Sequence, residues 1–210
     1  MPLAGFTLHG IAYSGSTYKV ALMFALCGER FSYRHINLRE GTHKTPEFIA
    51  INRYGQVPAL THGELKLCES GAILQYLSET FGKFGGVDPI TRQRSREWLF
   101  WDVDRLSPGI FRTRAIVRGF LKAEPSTVAV YREAGEAGLK VLTHTLAGSA
   151  FLAGPDPTIA DIACYSAVAF AEEGEFRLAD WPCIKAWAAR MATLPGFKAP
   201  YDLLPMADIA

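Results

Sequence analysis

The chain has 210 residues, 49% of them apolar, which is enough to bury a real core and excludes a disordered polymer. Its 22 Lys and Arg nearly cancel 21 Asp and Glu, so no long-range field collects phosphate backbones or acidic membranes, and nucleic acid is a poor partner. No apolar run approaches the roughly 20 residues that span a bilayer, and residues 1–7 lack a signal-peptide pattern, so the expected location is the cytoplasm.

Residues 6–9 alternate apolar and polar. Residues 17–26 then carry Val20, Ala21, Phe24 and Ala25 at helical spacing before Cys27-Gly28 stops the pattern, giving a strand followed by a helix. Period two returns over residues 31–38 through Phe31, Tyr33 and His35, and Thr45 as N-cap with Pro46 in the first turn opens a short helix. Residues 57–60 and 65–67 flank a His62-Gly63 turn as a hairpin, followed by a helix over 70–81 closed by Gly82. The order is β-α-β-α-β-β-α.

Gly85, Gly86 and Asp88 have few apolar neighbours and suit a linker. The expected organisation is therefore an α/β domain over 1–82, a linker over 83–88 and an all-helical domain over 89–210. Helices are expected from about Ile90 past Trp101, from Ser126 to Leu146, from Thr158, and from Pro182 to Thr193. Thr158 and Asp161 have the spacing of a capping box, and the apolar residues Ile162, Ala163, Tyr165, Ala167 and Phe170 beyond them suit a buried central helix. Cys27, Cys68, Cys164 and Cys183 form no Cys-x-x-Cys pair, so they read as reduced, small apolar residues, and no metal site is expected.

Gly55-Gln56-Val57-Pro58 followed by Glu69-Ser70 is the most specific chemical feature. A residue before proline is held extended, and a cis bond would turn the Val57 N–H and C=O outward, open to an extended peptide ligand. Glu69-Ser70 falls at a helix start, where free N–H groups and the dipole attract a carboxylate and Glu69 attracts an ammonium. A small molecule with a carboxylate, an ammonium and a peptide-like strand fits both subsites. The plainer alternative is an edge strand ending in proline, beside an ordinary cap.

Several runs carry a resemblance: Ser14-Gly15-Ser16-Thr17-Tyr18-Lys19-Val20, His43-Lys44-Thr45-Pro46-Glu47-Phe48, Asn52-Arg53-Tyr54-Gly55-Gln56-Val57-Pro58-Ala59-Leu60 and Glu69-Ser70-Gly71-Ala72-Ile73. Together they resemble the amino-terminal domain of glutathione S-transferases, closest to the phi-like and bacterial serine-type cytosolic forms. Pro157-Thr158-Ile159-Ala160-Asp161 and the run from Trp181-Pro182 to Phe197 are similar to that family's helical domain; Arg53 departs from the proline common in relatives. The resemblance implies a thioredoxin-like first domain and an all-α helical bundle. It also implies that glutathione is co-substrate, with Val57 on its cysteinyl backbone, Gln56, Glu69 and Ser70 on its γ-glutamyl end, and His43 with Lys44 on its glycine carboxylate. A homodimer follows from the same resemblance, with Tyr54 either an anchor on the partner or a local loop aromatic.

By alignment Ser14 is the catalytic serine, donating a hydrogen bond to the glutathione sulfur. A free thiol titrates near ~8.5, and lowering that by about two units takes roughly 2.7 kcal/mol, the order that a hydroxyl and a helix N-terminus supply. The alternative is that Ser14, Ser16 and Thr17 simply cap the helix; Ser16 and Tyr13 are rival donors. No cysteine stands in this loop, against the relatives that form mixed disulfides with glutathione. Trp98, Trp101, Arg105, Pro108 and Phe111, with Tyr13, suggest an apolar pocket for a hydrophobic electrophile, or else core packing. Arg112, Arg114 and Arg118 read as a solvated charged face, or as an attraction for an acidic acceptor. The expected function is a detoxifying glutathione transferase. The alternatives are a glutathione-dependent peroxidase or disulfide reductase on the same site, and a non-catalytic interaction module.

Overall fold

A computed structural model describes residues 5–208. Most of the leader reading, residues 1–4, and the last two residues of the second expected domain lie outside that range. The chain packs as two units: one runs to Phe81 and resumes from Pro195, the other is Gly82–Leu194.

The first unit contains β1 (Phe6–Gly10), α1 (Gly15–Cys27), β2 (Ser32–His35), a 3-10 turn (Thr42–Lys44), α2 (Pro46–Ile49), β3 (Ala59–His62), β4 (Leu65–Cys68) and α3 (Ser70–Phe81). The sheet order is β2-β1-β3-β4, with β1 and β2 parallel and the other pairs antiparallel. A parallel pair needs a crossover, and α1 supplies it. Phe6 on β1 meets Phe24 of α1 and Phe81 of α3, while His9, pointing to the opposite face, meets Phe48 of α2. The fold is thus a four-stranded mixed sheet with helices on both faces, a thioredoxin-like domain.

Helix α1 is buried nearly all round, from Thr17 to Phe24, which a helix lying on a single sheet face would not be. Its second cover is the returning tail. Tyr18 Oη donates to the Lys198 carbonyl at 2.9 Å, and a short helix, α9 (Pro200–Leu203), packs beside α1. This helix was not among those expected, because its few residues carry no period of their own.

The second unit is helical: α4 (Pro89–Trp101), α5 (Ser107–Val117), α6 (Pro125–Leu146), α7 (Ile159–Val168) and α8 (Pro182–Ala192), with short 3-10 turns after α7. The helix expected to continue past Trp101 changes to a π turn over Asp102–Leu106. Pro108 explains this: its ring would clash with the carbonyl one turn back in a straight α-helix, and the wider turn relieves it. Ser107 Oγ donates to the buried Asp102 Oδ1 at 2.7 Å across the turn. Helices α5 and α6 then approach at Gly109 and Gly135, where a Cβ on Gly109 would lie 2.3 Å from the Gly135 nitrogen.

All ten residues of α7 are buried, and its start carries a complete capping box of Thr158 and Asp161. Cys27 and Cys164 are buried, whereas Cys68 and Cys183 are only half-buried; all four are free thiols. Among the described residues no helix is long and apolar enough to cross a membrane.

Candidate active site

Strand register brings four segments to one end of the first unit's sheet. His9 lies opposite Ala59, Ala59 opposite Cys68, and Gly10 beside His35. From that end β1 runs into Tyr13 and Ser14, and β2 leads toward His43 and Lys44. There also Gln56 and Val57 enter β3, and β4 passes into Glu69 and Ser70. Four strands at ~4.8 Å spacing are about 14 Å across, and three extended residues cover about 10 Å, so the row suits a tripeptide.

Ser14 is the N-cap of α1. Its backbone is extended, its Oγ accepts from the Thr17 N–H at 3.2 Å, and no acidic residue occupies the first turn. Accepting uses a lone pair and leaves the hydroxyl proton to donate, so capping and donation to a sulfur are compatible. Gly10 sets the approach of this turn: a Cβ there would fall 2.2 Å from Thr17 Cγ2, so only glycine lets the helix start seat on the strand end. Ser14, Ser16 and Tyr13 are all half-buried, and Ser16 lies inside the first helical turn.

The Val57–Pro58 bond is cis. The sheet ladder begins at Ala59, so half-buried Val57 stands outside it, with Gln56 exposed beside it. Asn52, which the sequence showed only as part of a motif, proves central to this loop. It is buried, its Nδ2 donates to the Gln56 carbonyl at 2.5 Å and to the Pro58 carbonyl at 3.5 Å, and its Oδ1 accepts from the Tyr54 N–H at 3.0 Å. Asparagine seven residues before a strand, inside a turn, was the available signal.

Lys44 Nζ donates to the Gly55 carbonyl at 2.9 Å, which ties the 3-10 turn to this loop and leaves two ammonium protons for other acceptors. His43 has its Nδ1 buried without a partner among the described residues. Burial and the neighbouring Lys44 charge hold its pKa below the ordinary imidazole value.

Glu69 is exposed and stands at φ +64°, a left-handed conformation that side-chain-bearing residues seldom adopt and that clusters at functional sites. Its carbonyl accepts from the Ile73 N–H at 2.9 Å, so it serves as the entry residue of α3, and Ser70 is buried behind it.

The residues expected around an electrophile divide. Tyr13 belongs to the first unit. In the second unit, Trp101 and Arg105 line a cleft of about 410 Å³ against α6, with Pro108, Tyr131 and Val141. Phe111 does not line it and instead packs edge-on against Phe170, their centroids 6.5 Å apart. Arg105 pairs with Asp104 at 2.7 Å, and Trp98 donates to the Leu152 carbonyl at 3.1 Å. The solvated face expected for Arg112, Arg114 and Arg118 is corrected at Arg114. Its side chain is only 7% exposed, pairs with Glu173 at 2.9 Å and lies over the Phe170 ring. The turn after α7 that carries Glu173 is distant in sequence, so no local spacing announced the pair. Tyr54 is exposed, with the Arg53 guanidinium over its ring and donating to its hydroxyl at 2.8 Å.

A thioredoxin-like domain followed by an all-helical one, with a backbone segment and a capped helix start facing the same sheet end, defines the class. The glutathione S-transferase N-terminal domain model matches residues 4–79 and the C-terminal domain model residues 115–195. Disulfide-bond oxidoreductase YfcG of Escherichia coli (strain K12) is 32% identical over 76% of this chain and 78% of the relative. Glutathione S-transferase 3 of Zea mays is 29% identical over 97% of this chain and 96% of its own. The crystal structure of a glutathione S-transferase from Pseudomonas fluorescens [Pf-5] superposes with a TM-score of 0.89 at 29% identity, covering 94% of this chain and 99% of that one. The chain belongs to the glutathione S-transferase family.

Proposed function

We propose that the chain is a glutathione-dependent transferase that binds glutathione along the row of strand ends and holds its sulfur as thiolate at Ser14. The observation that carries this reading is the convergence of Ser14, Lys44, Val57 and the Glu69-Ser70 helix start on one end of the sheet. Val57 pairs with the cysteinyl backbone. Glu69 takes the γ-glutamyl ammonium, while Ser70, Gln56 and the α3 N-terminus take its carboxylate, and Lys44 with His43 takes the glycine carboxylate. The Ser14 hydroxyl donates to the sulfur. The thiolate then attacks an electrophilic carbon of a hydrophobic small molecule: the S–C bond forms and the leaving group departs with its electron pair. The chain acts in the cytoplasm.

The likeness to a disulfide-bond oxidoreductase favours a second reading on the same site. There the glutathione thiolate attacks a disulfide sulfur, the S–S bond breaks, and a second glutathione releases the first as glutathione disulfide. A panel of haloarenes, hydroperoxides and mixed disulfides, run with calorimetric glutathione binding, tests both. Turnover of haloarenes supports transfer, turnover of disulfides alone replaces it with reduction, and no glutathione binding at millimolar concentration removes both.

The same reading includes a homodimer in which Tyr54 enters the α4–α6 cleft of a second copy. Sedimentation of Tyr54→Ala against wild type tests it, with a shift toward monomer expected and an unchanged dimer against it.

A further inference from the structure

Asn52 is 2% exposed, and its amide bonds three peptide groups of the loop that follows it. Two of them flank Val57: the Gln56 carbonyl, 2.5 Å from Nδ2, and the Pro58 carbonyl, 3.5 Å from it. The Gln56 carbonyl and the Val57 N–H belong to one planar trans peptide group, in which C=O and N–H point to opposite sides. Drawing that carbonyl onto a buried amide therefore turns the Val57 N–H away from Asn52. The Tyr54 N–H at 3.0 Å fixes the other end of the amide, so the amide cannot swing to follow the loop. A buried amide that lost these partners would be left unsatisfied, so the interaction acts as a restraint rather than a passing contact.

We infer that Asn52 is a positioning residue. By holding the Gln56 carbonyl inward it aims the Val57 backbone at an extended peptide ligand. This rests on the glutathione reading above. Ser14 stands on a different loop, so Asn52 governs how tightly glutathione is held, not how its sulfur is activated.

The test begins with calorimetry on the wild type, where absent glutathione binding overturns both readings. Where the wild type binds, Asn52→Asp keeps the Oδ1 acceptor and loses the Nδ2 donor, and Asn52→Ala loses both. Each is expected to raise KM for glutathione about tenfold or more while kcat at saturating glutathione stays within about twofold, as loss of ground-state binding requires. A residue that only supported the fold would lower the melting temperature and leave KM unchanged in the folded enzyme, and that result overturns the proposal. A readout without substitution guards against variants that do not fold. Asn37 and Asn52 are the two asparagines of the chain, so wild type labelled with ¹⁵N-asparagine gives two side-chain amide signals. Glutathione is expected to shift the Asn52 signal and slow its proton exchange; an unmoved Asn52 signal overturns the proposal.

Discussion

Helices α7 and α1 both begin on a hydroxyl side chain that accepts from a first-turn N–H, and they differ in the charge that stands beside it. At α7, Thr158 Oγ1 accepts from the Ala160 N–H at 3.3 Å, and Asp161 completes the turn. Its carboxylate takes the N–H groups of Thr158 and Leu152 at 2.9 Å each and the Trp187 indole at 3.0 Å, all in full burial. At α1, half-buried Ser14 accepts from Thr17, and no carboxylate sits in the first turn. The positive end of α7 is already neutralised by a resident anion, whereas the first turn of α1 contains no acidic residue. One start serves the core; the other is the start that the proposed function assigns to the glutathione thiolate.

The sharpest way to break this contrast is Asp161→Ala. It strands several buried donors at once, so unfolding by denaturant is expected to lose about 3–5 kcal/mol. A loss under about 1 kcal/mol would mean the cap is not what holds α7. Ser14→Ala comes next and should behave in reverse. The cap contributes only about 1 kcal/mol to stability, but the bound thiol's pKa is expected to rise by about two units and turnover at neutral pH to fall about 100-fold. Thiolate absorbance against pH reads the first effect and steady-state kinetics the second. Ser16→Ala, run beside it, should leave both nearly unchanged; equal losses would move the donor role to Ser16.

How far each helix start was legible depends on how local its cause is. The Thr158–Asp161 box and the Thr45-Pro46 start are fixed by neighbours three residues apart, and both stand where their spacing put them. The loop motifs around Ser14, Val57 and Glu69 were visible as well, but their meeting at one sheet end is a matter of strand register, which no single segment encodes. Arg114 was misread because its partner Glu173 and the ring of Phe170 arrive from more than fifty residues away. Asn52 was passed over because a buried asparagine and a turn asparagine look alike until the carbonyls around it are placed. The tail from Pro195 that covers α1 leaves a trace only in the helix it covers, which is apolar on every side.

A pH titration sharpens the contrast more gently. Burial pushes the Asp161 carboxyl up from the ordinary 3.8 to about 6 despite the donors around it. Between those values the folded chain keeps a proton that the unfolded chain has released, so this group's contribution is complete below about 4 and declines as the pH rises through 6. Unfolding free energy is expected to fall by on the order of 3 kcal/mol across that window, and the slope should be absent in Asp161→Asn. A slope of opposite sign in the difference between the two proteins would show that the donors outweigh burial and keep the carboxylate charged throughout.

The smallest effect is expected at Arg118, and it tests whether saturation or mere proximity stabilises the second unit. Arg118 meets Glu173 at 2.8 Å, as Arg114 does at 2.9 Å, but its side chain is 45% exposed against 7% for Arg114. An exposed pair keeps its water and loses side-chain freedom, so Arg118→Ala should cost under about 1 kcal/mol and fade further in high salt. Glu173 would still hold Arg114, whose guanidinium is fixed over Phe170. A larger, salt-insensitive loss would mean that the two arginines and the carboxylate act as one buried network, and that the second unit draws stability from its rim as well as from the α7 cap.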